Sequence, residues 1–386
     1  MKGKVIIHRK KAGLWSRCLC WFLFFCLAVS LLTAGGCAQP ASPGQPLNNG
    51  EPADSTTQQI ETRTVVDCAG REVQIPASIE RIACLCPEAG HAMAMLGVGD
   101  RIVAAVGGMQ RDLLLVEMCP QIANVPVPKS SGVINIEELL NCEPDVVFVK
   151  EDTAQNEAEM EKMNKTKVPF LVVEYASIEK QQCAVEMMGT VVGNPEKAKR
   201  YNEYYQDCIK HVQKQIAEIP LEERVTVYHS VNEAVRTDVE GTLPAEWTRL
   251  AGAVNVSLDK ELKQQGGKCY VSLEQILLWD PEVILVNDPL VADYIMSNKQ
   301  WAPLQAVKNN KVWRLPNGIS RWGHPSSLET PLAILWTAWK LYPDKFTDID
   351  LVQETKYFYE EFFNYRLTDV EVKKILSGTG MRDPKN

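Results

Sequence analysis

The segment SRWGHPSS, residues 320–327, places three side chains with useful binding chemistry in one short stretch. The guanidinium of Arg321 can hold a carboxylate or phosphate with two hydrogen bonds. The indole of Trp322 offers a flat apolar face to a ring, and the imidazole of His324 can ligate a metal ion. The structural alternative is that Trp322 packs beneath the loop and His324 bonds only backbone. The segment therefore indicates a candidate ligand site.

Other candidate binding residues follow apolar runs elsewhere in the chain. In CLCPE, Cys86 and Glu88 stand at the head of a predicted helix, where they could face an anion or donate to iron. Their structural alternative is a buried thiol and an acid that complements the helix dipole. Tyr175 follows the run VPFLVV, and Arg236 flanks the loop VRTDVEGTLPAEW, so we predict both as ligand-binding residues.

Enzyme motifs are missing from the sequence. We find no GxSxG, HExxH, P-loop or GxGxxG with a suitably spaced acid, and the chain has 5 histidines. The cysteines form no CxxC pair and no zinc pattern, which predicts buried apolar thiols. A receptor for a bare divalent metal would need His91, His229 and His324 to converge. We predict a protein that is not an enzyme and needs no cofactor.

The elements that position these residues include a sequence repeat that occurs once in each half of the chain. Residues 134–149 read INIEELLNCEPDVVFV, and residues 271–286 read VSLEQILLWDPEVILV. In each copy a capping residue, Asn135 or Ser272, begins a short helix that stops before a proline. A continuously apolar run follows, as expected for a parallel strand covered on both faces. Each copy is therefore predicted to be a helix leading into a buried parallel strand.

Each copy also carries a carboxylate in its first helical turn, Glu137 in one and Glu274 in the other. One interpretation is that both acids merely complement the helix dipole. The other is that one carboxylate per half forms a two-point docking site for a partner. The repeat alone leaves both interpretations open.

The rest of the chain predicts an α/β fold of two Rossmann-like lobes with mostly parallel sheets, joined by one long helix. Apolar strands alternate with helical stretches in both halves, and Asn194-Pro195-Glu196 is a strong helix start. We place the N-terminal lobe at 61–193, the linking helix at 194–219 and the C-terminal lobe at 221–386. In such sheets ligands bind beyond the carboxyl ends of the strands. This rule nominates, besides the residues above, Gly107, Gly108, Lys150, Glu174, His229, Asn232, Asn287 and Asp288.

The first 60 residues are predicted to lie outside the fold. A basic head, an apolar run and TAGGC give residues 1–36 the pattern of a signal peptide. Its end resembles a bacterial lipobox, which predicts a lipid on Cys37, although Ala34 stands where leucine is commoner. The alternative, an uncleaved membrane anchor, is disfavoured because the apolar run falls short of about 20 residues. Residues 37–60 are rich in Pro, Ser, Gly, Asn and Gln and predict a flexible linker.

The charge of the chain limits its partners. The complete chain has 41 basic and 49 acidic residues, a net charge of −8. Removal of residues 1–36 leaves 35 basic residues and a net charge of −14. Such a surface argues against nucleic acid and against anionic lipid as binding partners.

The ordered set of these features resembles the substrate-binding proteins of ABC importers for ferric siderophores, haem and cobalamin. ERIACLCPEAGHAMAMLGVGDRIVAAVG, the two repeats and LAILWTAWKLYPDKF carry the resemblance, which covers about residues 61–345. It implies that Glu137 and Glu274 dock on arginines of a permease dimer and that the lobes close only modestly. It further implies an extracytoplasmic, lipid-anchored receptor, on the outer face of the cytoplasmic membrane or in the periplasm. We expect a ferric siderophore or haem as cargo, with a corrinoid or an oxyanion such as molybdate or tungstate as alternatives.

Overall fold

Two four-stranded parallel sheets, one in each half of the chain, form the framework. The computed structural model describes residues 61–381, so the predicted signal peptide, Cys37 and the linker lie outside the described residues. The strands are β1 Thr62–Val66, β2 Glu72–Pro76, β3 Ile82–Cys84, β4 Ile102–Ala104, β5 Lys129–Ser130, β6 Val133–Ile134, β7 Val146–Lys150, β8 Phe170–Val173, β9 Thr226–Ser230, β10 Arg236–Thr237, β11 Val254–Asn255, β12 Lys263–Gln265, β13 Lys268–Tyr270, β14 Val283–Val286 and β15 Val312–Arg314.

The helices flank these sheets and connect the two halves. They are α1 Pro87–Met95, α2 Leu113–Met118, α3 Ile136–Asn141, α4 Glu151–Ala154, α5 Glu157–Thr166, α6 Ile178–Val191, α7 Pro195–Ile216, α8 Leu243–Leu250, α9 Leu273–Trp279, α10 Pro289–Ser297, α11 Gln305–Lys308, α12 Thr330–Leu341, α13 Leu351–Phe363 and α14 Asp369–Ser377. The strand order is β4-β3-β7-β8 in the first sheet and β11-β9-β14-β15 in the second, with parallel pairing throughout. The predicted α/β class is confirmed.

Strand β7 explains why the central strands are continuous apolar runs. Val146 and Phe148 belong to one buried cluster, whereas Val147 and Val149 belong to a second cluster. Because successive side chains of a strand alternate between the faces, a strand covered on both faces needs an apolar residue at every position. The counterpart strand β14 divides its four buried residues between two clusters in the same way.

The repeated unit folds alike in both halves, with α3 leading into β7 and α9 leading into β14. The side chains of Asn135 and Ser272 accept a hydrogen bond from the backbone N–H three residues on, at 3.3 and 3.2 Å. The predicted caps are thus confirmed. The residue before each proline is in the left-handed region, with φ of 44° at Glu143 and 41° at Asp280. Both copies therefore end the helix and enter the strand through the same backbone turn.

Helix α7 is the predicted linking helix and begins with Pro195 in its first turn. Its 22 residues span about 33 Å at 1.5 Å per residue. The hydroxyl of Tyr201 donates to the carbonyl of Leu328 at 2.7 Å in the second half. The amide of Asn202 donates to the carbonyl of Gln182 at 3.1 Å in the first half. The helix is therefore bonded to both halves along its length.

The C-terminal segment, residues 351–381, folds back across the linking helix. Phe362 of α13 packs edge-on against Tyr201 of α7, with ring centroids 5.7 Å apart. Farther on, the backbone N–H of Leu113 in α2 donates to the carbonyl of Met381 at 3.0 Å. We predicted 221–386 as the C-terminal lobe, and near its end Met381 contacts the first half.

Within residues 61–381, no helix is both long and apolar enough to cross a membrane.

Candidate ligand-binding cleft

A cavity of about 650 Å³ opens beyond the carboxyl ends of the strands of the first sheet. Its volume falls in the range of roughly 300–1,000 Å³ that is usual for small-molecule sites. The walls come from the segments that follow β3, β4 and β7, from the β5–β6 turn and from one residue of the second half. The lining residues are Leu85, Cys86, Pro87, Glu88, Val106, Gly107, Gly108, Arg111, Val127, Lys129, Ser130, Ser131, Gly132, Lys150, Asp152 and Ser326.

An ion pair between Glu88 and Lys150 lies in the wall of this cavity. Glu88 occupies the first turn of α1 and is 1% exposed, and the Nζ of Lys150 at the end of β7 lies 3.1 Å from its Oε1. The charge of Glu88 is the largest effect on the pKa of Lys150 and raises it, while burial opposes this shift. The ammonium therefore stays charged, and Glu88 both lines the cavity and neutralises a neighbouring cation.

Cys86 and Tyr175 are both neighbours of Glu88, but only Cys86 of these two lines the cavity. Burial raises the pKa of the Cys86 thiol, and the charge of Glu88 raises it further. Because the thiolate is the form that ligates metal, a protonated Cys86 is a poor donor to iron. The hydroxyl of Tyr175 donates to the backbone carbonyl of Glu88 at 3.4 Å, and burial raises the pKa of Tyr175 well above 10. Tyr175 therefore supports the cavity wall and is not among the residues that line it.

Arg321 in the loop 320–327 is paired with an acid and is affected by other arginines. The Nη1 of Arg321 lies 3.8 Å from the Oδ2 of Asp288. Burial is the main cause that lowers the pKa of Arg321, Asp288 opposes it, and repulsion from Arg111 and Arg236 lowers it further. Arg111 also lines the cavity in the first half. Positive charge from both halves therefore acts on Arg321.

His324 is buried in the same loop as Arg321 and is held neutral. Its Nδ1 accepts a hydrogen bond from the backbone N–H of Ser326 at 3.3 Å, as the structural alternative proposed. Burial, followed by the charges of Arg321, Lys150 and Arg236, lowers the pKa of His324 well below its ordinary value of 6.5. A neutral imidazole at this place can accept or donate a hydrogen bond without adding to the positive charge of the cleft.

Trp322 lies beneath the loop and presents no exposed face to the cleft. Its side chain is 0% exposed, and its Nε1 donates to the Oε1 of Glu329 at 2.9 Å. The same carboxylate accepts the backbone N–H of Ser320 at 2.9 Å and the hydroxyl of Tyr359 from α13. In this conformation Trp322 is a packing residue, because the buried carboxylate satisfies its only polar atom.

Sequence reasoning missed the residues that hold this loop from below. A Cβ at Gly323, where φ is 70°, would lie 2.4 Å from the ring of Trp247, so only glycine fits. The Nε1 of Trp247 donates to the carbonyl of Gly323 at 2.8 Å. One signal for Glu329 was available, since it is the single acid in the apolar run LETPLAILW. No local signal pointed to Tyr359, which lies on another helix.

The other histidines do not assemble with His324 into a metal site. The Nε2 of His91 lies 3.2 Å from the Oδ2 of Asp112, and the Nδ1 of His229 lies 2.7 Å from the Oδ2 of Asp238. In the part of the chain that the structure describes, no three His, Cys, Asp or Glu side chains are placed to hold one metal ion. The alternative of a bare-metal receptor gains no support from this arrangement.

Comparison with known proteins agrees with this architecture. The sequence model of the periplasmic binding protein family matches residues 82–318. The chain belongs to this family. This family member is 28% identical over 331 residues to the molybdate-binding protein of Haemophilus influenzae, covering 78% of this chain and 91% of that one. It is 24% identical over 241 residues to the vitamin B12-binding protein of Vibrio cholerae, covering 62% of this chain and 82% of the relative.

Solved structures of the family share the fold. The Haemophilus influenzae protein with bound molybdate superimposes with a TM-score of 0.71 at 24% identity, covering 79% of this chain and 99% of that chain. A solute-binding protein of Veillonella parvula gives a TM-score of 0.70 at 26% identity. The match covers 82% of this chain and 97% of that chain. The chain is accordingly the substrate-binding component of an ABC importer.

In this periplasmic binding protein, Glu137 and Glu274 lie outside the cavity, exposed in the first turns of α3 and α9. Helix α3 follows the β5–β6 turn, whose residues line the cavity. In the other half, α9 follows β13, in which Tyr270 pairs with Arg236 of β10. Hydrogen bonds from its own N–H and from Ser272 lower the pKa of Glu274, so this carboxylate is ionised at neutral pH. Each acid is therefore exposed on the helix that leads into a central strand of its own half, and its role in docking stays a prediction.

Proposed function

We propose that this periplasmic binding protein captures an anionic cargo in its cleft and delivers it to an ABC permease. The supporting observation is the charge of the cavity lining, together with the cations that act on the buried His324. Arg111, Lys129 and Lys150 line the cavity against the two acids Glu88 and Asp152, although the complete chain carries a net charge of −8. A positive cleft on a negative protein attracts and concentrates anions.

The favoured cargo is a compact metal oxyanion of the molybdate class. Arginine and lysine hydrogen bonds to oxyanions are charge-assisted and strong, and neutral His324 adds a further polar contact. The relative that binds molybdate matches nearly its full length to this chain. No covalent chemistry and no cofactor are needed for this role.

A ferric complex with an anionic chelator, such as a siderophore, is the second candidate. The cavity of about 650 Å³ is large for a single tetrahedral anion and supports a bulkier ligand. Haem and a corrinoid remain further alternatives, but the buried position of Trp322 leaves that ring without an exposed face for stacking.

Calorimetric titration of the full chain with molybdate, a ferric catecholate complex, haem and cobalamin tests the proposal. We expect saturable binding of molybdate, weakened at least about tenfold by Arg321→Ala, since one charge-assisted hydrogen bond contributes roughly 1.5–3 kcal/mol. The control is Arg366→Ala, which removes an arginine whose side chain is 86% exposed. Saturable binding of only haem or cobalamin, with no response to either anion, would contradict an anionic cargo.

We further propose that the chain is anchored outside the cytoplasmic membrane by a lipid on Cys37, with residues 38–60 as a flexible connection to the fold. The composition TAGGC after an apolar run supports this anchor. Labelled palmitate should be incorporated into the wild-type chain and lost in Cys37→Ser. Equal incorporation in both chains would contradict the anchor.

A further inference from the structure

A second cavity, of about 340 Å³, is lined entirely by residues of the second half of the chain. Its walls come from α10, from β15 and the turn before it, from α12 and from the end of α14. The two cavities share no lining residue within residues 61–381. The volume is close to the lower limit of roughly 300 Å³ for small-molecule sites, so this second cavity suits a small ligand.

Arg314, the last residue of β15, supplies one cation to the second cavity. Its Nη2 donates to the carboxylate of Asp293, which lines the same cavity. Its Nε is buried and has no hydrogen-bond acceptor among residues 61–381. A buried donor without an acceptor is costly, and a guanidinium can hold a carboxylate through two of its N–H groups. Arg314 therefore has donor capacity left for an anion.

Lys340 of α12 supplies a second cation to the lining. Its Nζ lies 5.3 Å from the ring centroid of Trp313, 5.7 Å from that of Trp339 and 5.9 Å from that of Trp336. Aromatic faces attract an ammonium but leave its charge in place. Together with Arg314, this lysine gives the second cavity two cations against a single acid among the lining residues that the structure describes.

Apolar side chains also line the second cavity. The indoles of Trp313 and Trp336 are joined there by Met296, Val312 and Leu376. Because burial of apolar surface is favourable, an apolar body of a ligand gains free energy against these side chains. The cavity thus offers contacts for a negative charge and for an apolar group within one small volume.

We propose that the second cavity binds a small organic anion, a carboxylate attached to an aromatic or aliphatic body. The carboxylate accepts hydrogen bonds from Arg314 beside the charge of Lys340, and the body packs against the apolar lining. A compact inorganic anion would leave that lining in contact with water, and an uncharged ring would leave Arg314 without its acceptor. The site is separate from the cleft and does not depend on the cargo that the cleft binds.

Calorimetric titration of the full chain with benzoate, benzamide and inorganic phosphate tests this proposal. Benzoate should bind saturably. Benzamide has the same ring without the charge, and phosphate has charge without an apolar body, so each should bind at least about tenfold more weakly. Benzamide binding as tightly as benzoate would overturn the assigned charge recognition, and phosphate doing so would overturn the assigned apolar contact. Absence of saturable benzoate binding would overturn the site itself.

Variants place the anion within the molecule. Arg314→Gln should weaken benzoate binding at least about tenfold, because it removes charge-assisted hydrogen bonds. Lys340→Gln should weaken it as well and provides the same test if Arg314→Gln does not fold, which urea unfolding detects. The matched control is Arg366→Gln, which removes another ion-paired arginine, 2.8 Å from Glu360, and should bind benzoate like wild type.

Arg321→Ala distinguishes the second cavity from the cleft. This variant should bind benzoate like wild type, although we expect it to weaken molybdate binding. Loss of benzoate binding in Arg321→Ala, with binding retained in Arg314→Gln, would place the anion in the cleft and show the inference to be wrong. Benzoate binding that needs Arg314 in a chain that binds no cleft cargo would support the second cavity and refute only the proposed function of the cleft.

Discussion

At the scale of single residues, the cleft is characterised by the protonation states that its surroundings impose. The Cys86 thiol stays protonated because burial and Glu88 both oppose the thiolate. Lys150 stays charged because Glu88 lies 3.1 Å away. His324 stays neutral because burial and nearby cations oppose the imidazolium. Besides its acids, the site therefore holds charged Lys150 with neutral Cys86 and His324, and neither of these neutral groups is a thiolate or an imidazolium.

The lowered pKa of His324 predicts a stability loss in mild acid. The unfolded chain takes up a proton at this residue as the pH falls through about 6.5, whereas the folded chain does not until the pH is much lower. The wild type should therefore lose about 1 kcal/mol more stability than His324→Gln between about pH 7.5 and 5.5. Urea unfolding at both values measures this difference. An equal loss in both chains would contradict the assigned neutrality.

At the scale of secondary-structure elements, the cleft loop depends on a helix that lies outside the matched family region. Tyr359 of α13 donates to Glu329, and its hydroxyl also accepts the backbone N–H of Ile319 at 3.0 Å. Glu329 in turn holds Ser320 and Trp322, on either side of Arg321. Helix α13 therefore positions the loop that carries Arg321.

Substitutions at the hydrogen bond between Tyr359 and Glu329 should change the conformation of the loop 320–327 as well as the free energy of unfolding. Tyr359→Phe removes one buried donor and should cost about 1 kcal/mol of unfolding free energy, and Glu329→Gln should cost about 2–3 kcal/mol because several donors lose a full acceptor. Both should shift the tryptophan emission to the red as Trp322 gains access to water.

The control for this link is Tyr365→Phe, which removes a hydroxyl that bonds Glu117 at 2.6 Å and lies on the same C-terminal segment. It should leave the emission unchanged. A Tyr359→Phe emission spectrum identical to wild type would show that the loop does not depend on α13.

At the scale of the whole molecule, two separate connections join the halves. Helix α7 bonds both halves directly, and the C-terminal segment contacts both through main-chain hydrogen bonds. In the second half the backbone N–H of Asn317 donates to the carbonyl of Ile375 at 3.0 Å, and in the first half Leu113 donates to Met381. Wide separation of the halves would break one of these contacts. The modest closure that the family resemblance implied stays a prediction.

Small-angle scattering of the chain from residue 61 onwards should consequently detect little change on cargo binding. We expect the radius of gyration with saturating molybdate, or with the cargo identified by calorimetry, to differ from the free value by less than about 1 Å, the range of pre-organised complexes. A decrease of several ångströms would demonstrate a hinge motion that breaks the C-terminal contacts.

The sequence by itself determined the α/β class, the repeated helix–strand unit, the linking helix and the place of the cleft. These features follow from local patterns, since capping residues, prolines and apolar periodicity act within a few residues of one another. The residues 320–327 were likewise recognised as a loop, and Ser326 of this loop lines the cavity. Ligand binding by Arg321 stays a prediction.

Only the tertiary structure decided which of these side chains face the cleft. Trp322 is buried because Glu329 and Tyr359 meet beneath it. The pKa of Arg321 is lowered partly by Arg111, which belongs to the other half of the chain. The contact between the C-terminal segment and the first half was likewise not predictable from the sequence. The physical reason is that burial and long-range electrostatic contacts depend on the packing of elements far apart in the chain, and no local sequence pattern encodes that proximity.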